Sequence, residues 1–109
     1  MDTNQQVYQR CGFRCVYCGL NGHDSFDNWL HLSKDHLFPQ GHEKRDDPEF
    51  IVVACRFCNE SMNKLFAEQE KEGLPDDRNS LIEWRKNRVL ENRRGYREFW
   101  LANVASFSY

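Results

Sequence analysis

Apolar and polar positions change rhythm several times along this chain, and each change predicts an element. Residues 1–10 carry few apolar side chains and read as a loose lead-in that packs through Val7 and Tyr8. From Asn21 to Asp27 turn-forming residues dominate, with Asn21-Gly22 the clearest sign, and a loop is expected there. Trp29-Leu30-His31-Leu32-Ser33 alternates, with Leu30 and Leu32 on one side, which predicts a short half-buried strand running into Asp35 and His36. The polar stretch from Phe38-Pro39 to Pro48 keeps no period and reads as a long irregular loop, a feature that in a small domain usually carries function. Phe50-Ile51-Val52-Val53-Ala54 is the strongest strand in the sequence, β-branched and uncharged. Beyond it, Phe57, Leu65 and Phe66 recur near helical spacing, so a helix should begin at Cys55-Arg56-Phe57-Cys58 and run to Glu72, where Gly73-Leu74-Pro75 stops it. Ser80 and Glu83 have the spacing of a capping box, and Ile82, Val89, Phe99, Trp100 and Val104 follow. They predict one long helix, or two broken near Gly95.

Length narrows the picture to a single small domain. A chain of 109 residues buries only about 60–70% of its unfolded surface and gains from a staple. The pattern divides it into a core over 11–72 and a basic amphipathic helical extension over 73–109. Formal net charge is −2, which excludes a passive nucleic-acid coat working by bulk positive charge. The charge is nevertheless uneven, because Arg78, Arg85, Lys86, Arg88, Arg93, Arg94 and Arg97 crowd the last third. The polar start lacks the apolar core of a signal peptide, and no stretch approaches membrane-spanning length. With an odd number of cysteines, five, a reducing cytoplasmic setting with a bound metal fits better than a disulfide framework.

Four of the cysteines form two short pairs, Cys15-Val16-Tyr17-Cys18 and Cys55-Arg56-Phe57-Cys58. A two-residue gap lets both sulfurs of a pair turn to one centre, and Gly19 supplies the positive φ of a tight knuckle. Two such pairs make a closed tetrahedral thiolate site for Zn2+. Since 36 residues separate Cys18 from Cys55, the zinc clamps an inserted unit rather than one hairpin. That unit contains Asp35 and His36. Four thiolates leave no open coordination position, so the zinc is structural and any chemistry needs another centre. A redox pair would require a strand-helix-strand context that is missing here, and Cys11 reads as a spare small residue.

The stretch from Cys15 to Lys64 resembles an HNH endonuclease domain of the kind clamped by four cysteines. The residues that carry the resemblance are the first knuckle, Asp35-His36 at a strand end with Pro39 soon after, the strand ending in Ala54-Cys55, and Asn59 directly after the second knuckle. The resemblance implies an α+β, treble-clef-like ββα-metal fold with a C-terminal helical extension, hydrolysing nucleic-acid phosphodiesters. It implies His36 as the general base, Asp35 as the acidic ligand of a catalytic Mg2+ or Mn2+, and Asn59 as the residue completing that metal site. Asn63, one helical turn further on, is a further ligand by the same resemblance. DNA is the expected substrate, with RNA also compatible.

Phe50 stands where the family has its middle asparagine, and Met62 and Asn63 stand where a lysine often follows the helix start. Phe50 is the feature that favours the competing class, a non-catalytic zinc module binding nucleic acid or protein. In the extension, Arg85, Arg88, Arg93 and Arg94 are candidates to meet phosphates flanking the scissile bond. Of the remaining histidines, His42 in the long loop is the one placed nearest to substrate. The aromatic end of the chain suits a second copy or a targeting partner protein.

Overall fold

The computed structural model describes residues 3–62 and 65–108. At its centre two strands, β1 (Leu32–His36) and β2 (Ile51–Cys55), pair antiparallel, with Leu32 opposite Cys55, Asp35 opposite Val52 and His36 opposite Ile51. Every residue of β2 is buried, as its uncharged β-branched sequence requires. Helix α3 (Arg56–Met62) follows without a break, so the second cysteine pair straddles the strand-to-helix junction. Together β1, β2 and α3 form a ββα unit within an α+β architecture.

The lead-in is a helix rather than a loose segment. In α1 (Thr3–Arg10) Val7 is fully buried in the core, Tyr8 Oη donates to Leu32 O, and Arg10 donates to the carbonyls of Pro48 and Ile51. Three ordinary anchors, Val7, Tyr8 and Arg10, therefore order a polar segment that has little helical pattern of its own. The strand also starts later than the alternation suggested. Ser25 Oγ accepts from Asn28 N at 3.0 Å and caps a short helix, α2 (Phe26–Leu30), which takes Trp29 and Leu30 out of the strand and leaves both exposed. Asp35 and His36 consequently lie inside β1 rather than beyond its end.

The loop after β1 is irregular, as expected, and closes with a 3₁₀ turn at Pro48–Phe50. The helix expected from the second knuckle to Glu72 is two helices, α3 and α4 (Phe66–Glu72), and α4 ends at Gly73 in the left-handed conformation with φ 59°. The last element, α5 (Arg78–Asn103), is one continuous helix of 26 residues that passes through Gly95. Its cap is Asp77, which accepts from Ser80 N at 2.9 Å, so Ser80 is the capped residue and not the cap. Leu81, Arg85 and Val89 are the buried residues of α5, one face spaced by four, while residues 90–103 are exposed. Among the described residues no helix is long and apolar enough to cross a membrane.

Candidate metal centre and catalytic strand

The first knuckle is built by backbone bonds that turn the chain back on itself: Cys15 N donates to Leu20 O and Gly19 N donates to Cys15 O, with Gly19 at φ 80°. Val16 N donates to Val53 O at 2.9 Å, which fastens the knuckle to β2 and brings it over the second cysteine pair. As a result the ligating atoms of Cys15, Cys18, Cys55 and Cys58 all lie within 4.8 Å of one another, and Cys18 Sγ is 3.7 Å from Cys55 Sγ. A tetrahedron with zinc–sulfur bonds of about 2.3 Å has edges of about 3.8 Å, so the four sulfurs fit Zn2+. Hydrogen bonds from Cys18, then Cys55 and Cys58, pull the Cys15 thiol far below its ordinary range, while hydrogen bonds to Cys15, Cys18 and Cys55, with burial, push the Cys58 thiol up. Four thiols packed together cannot lose protons independently, and a dication binding all four removes the conflict. Cys11 stands apart from the cluster, its Sγ accepting from Val53 N at 3.4 Å.

One residue on from the buried face of β1, His36 is half-buried. Burial, then the positive charge of Arg45, holds its imidazole below the ordinary histidine range, so the ring is neutral at neutral pH. Its loop is braced by aromatic packing. Phe50 is buried and meets Phe38 edge-on at 5.0 Å, and the Phe38 ring stacks on His42 at 4.1 Å. Leu37 N donates to Phe50 O at 2.9 Å. Edge-on packing at Phe50 thus braces the loop that follows His36.

Asp35 points the other way, into the core, and is 3% exposed. Its Oδ2 accepts from Tyr17 Oη at 2.7 Å and from Arg85 Nη1 at 3.2 Å, and Oδ1 lies 3.4 Å from the same nitrogen. Burial pushes this carboxyl up, with Arg85 and Tyr17 pulling against it. Asn59 packs α3 on β1, its Nδ2 donating to Ser33 Oγ at 2.9 Å and Lys34 O at 3.0 Å. Asn63 lies outside the described residues. Among the described residues the four cysteines are the only group of three or more His, Cys, Asp or Glu that could hold a metal ion. A catalytic Mg2+ or Mn2+ therefore does not fit these residues as folded: the carboxylate it needs is enclosed and already neutralised.

The four basic candidates divide. Arg85 is 0% exposed and contacts no solvent, so it cannot meet a phosphate. Its place between Leu81 and Val89, spaced by four on one helix face, was the signal in the sequence that could have been read. Arg88 is spent on Glu68 at 3.2 Å and Glu72 at 3.0 Å and stacks over Trp84. Arg93 lies over the Phe57 ring at 5.4 Å, and Arg94 is exposed. With Arg97, Tyr96 and Trp100 they line a cleft of about 500 Å³ beside α3.

The four clustered cysteines suit a structural metal such as zinc at the base of a ββα unit that carries His36 on its first strand. Residues 15–64, a stretch that contains both knuckles, His36 and Asn59, match the family model of HNH endonucleases. No curated protein and no solved structure matches the chain.

Proposed function

We propose that this protein is a DNA-directed HNH endonuclease in which His36 is the general base. The observation that carries the reading is the HNH match over a ββα unit that leaves His36 partly exposed on its first strand. His36 takes a proton from a water as that water attacks phosphorus, and the phosphodiester bond to the departing oxygen breaks. The cysteine-held zinc keeps β1, β2 and α3 in register and takes no part in the reaction. Arg93, Arg94 and Arg97 offer charge to phosphates, while exposed Tyr96 and Trp100 offer faces to unpaired bases. RNA presents the same groups and is a compatible substrate. Four cysteines gathered for a metal ion support a reducing, cytoplasmic setting. The exposed apolar end of α5 and the residues just beyond it, with Phe99, Leu101, Val104 and Phe107, form the surface for a second copy or a targeting partner.

The enclosure of Asp35 favours a second reading, a non-catalytic zinc module that binds nucleic acid. Supercoiled plasmid incubated with the zinc-loaded protein in Mg2+, Mn2+ or EDTA separates the two. Nicking or linearisation lost in His36→Ala supports the endonuclease. A gel shift without cleavage, equal in wild type and variant, supports the binding module.

A further inference from the structure

We propose that Arg85 is the resident cation of the Asp35 carboxylate: brought in on α5, its guanidinium balances the charge a divalent ion would balance, and so closes Asp35 to metal. The inference rests on the HNH reading only in taking Asp35 as the carboxylate a catalytic metal would seek. Every nitrogen of the guanidinium is engaged. Nε donates to Gln69 Oε1 at 3.1 Å, Nη1 to Asp35, and Nη2 to Leu37 O at 3.3 Å, while the plane lies over the Phe66 ring at 4.7 Å. Gln69 is itself oriented by donating Nε2 to Leu37 O at 2.9 Å. Four segments of the chain, the first knuckle, β1 and the residue after it, α4 and α5, thus converge on one ion pair.

The chemistry excludes sharing. Arginine stays charged at any working pH, and a hydrated Mg2+ or Mn2+ requires an open carboxylate lone pair and room for its waters. Asp35, 3% exposed and held by Tyr17 and Arg85, leaves no room for those waters. Because Arg85 lies on the buried face of α5 with Leu81 and Val89, freeing the carboxylate means lifting that helix from the core. Metal loading at Asp35 and docking of α5 are therefore mutually exclusive, and α5 gates the site.

Mn2+ is the probe, titrated into the zinc-loaded full-length protein and followed by electron paramagnetic resonance. The lock predicts that Asp35→Asn leaves the Mn2+ isotherm of the wild type unchanged. Arg85→Gln should tighten Mn2+ binding by roughly tenfold or more, the scale on which groups around a ligand act on metal affinity. That gain should vanish in the Arg85→Gln, Asp35→Asn double variant. Wild-type Mn2+ binding that Asp35→Asn abolishes overturns the proposal, as does a folded Arg85→Gln protein with no gain. Should Arg85→Gln fail to fold, the wild type alone decides: selective Mn2+ broadening of the Tyr17 and Asp35 amide resonances contradicts the lock, and sharp signals support it. Absence of plasmid cleavage removes the endonuclease reading without touching these outcomes. Mn2+ held at Asp35 in an active wild type removes the lock and leaves the endonuclease.

Discussion

At the scale of single residues, two neighbours on one strand have opposite fates. His36 keeps contact with solvent and Asp35 gives its carboxylate to the core, because adjacent strand residues face opposite sides of the sheet. The Asp35–Arg85 pair is buried, so losing one partner strands the other. Arg85→Ala should cost about 3–5 kcal/mol of unfolding free energy, measured by denaturant titration of the zinc-loaded protein. Adding Asp35→Asn should cost less than the sum of the single changes, the sign that the two act as a unit. His36 yields a pH prediction. Its pKa is lowered, so the neutral base persists to a lower pH than for an ordinary histidine, and the rising limb of kcat/KM should be centred below the ordinary histidine value. A rising limb centred at or above the ordinary histidine value of about 6.5 contradicts that burial effect.

Between elements, the zinc centre links pieces that would otherwise separate. The sheet has only two strands, too few to stand alone, and the knuckle reaches it through Val16 N and Val53 O. Chelation of zinc, or Cys58→Ser, should therefore unfold β1 and β2 together with α3, read as a cooperative loss of far-ultraviolet circular dichroism. Retention of the sheet without metal would count against the clamp. This is also the scale at which the sequence was most legible. The paired cysteines, the β-branched run before Cys55 and the Gly73 stop each state their geometry within a few residues, and the zinc cluster and β2 follow. Trp29 and Leu30 misled, since alternation was present but the Ser25 cap and its local hydrogen bond outweighed it. The α1 helix was hidden for a related reason: Val7, Tyr8 and Arg10 are ordered by partners far along the chain. Arg85 was least legible of all, because 50 residues separate it from Asp35 and only the tertiary fold brings them together.

Over the whole molecule, an acidic chain carries a local basic face. Arg93, Arg94 and Arg97 lie on the exposed half of α5, beside the ββα unit, whereas Arg88 is neutralised by Glu68 and Glu72. Replacing the first three by alanine should weaken binding to single-stranded DNA and flatten its dependence on salt, by about 0.7 in slope for each phosphate left without its arginine. Arg88→Ala should leave that slope unchanged, and fluorescence anisotropy across a range of salt concentrations distinguishes the two. The central claim remains the placement of phosphodiester chemistry on His36. It is tested most directly by single-turnover cleavage of an end-labelled DNA oligonucleotide, comparing zinc-loaded wild type with His36→Ala at matched zinc content and circular dichroism. The account predicts a loss of about 10²–10⁴-fold in rate, the range that removal of a general base commands. Cleavage by both proteins at the same rate would contradict it.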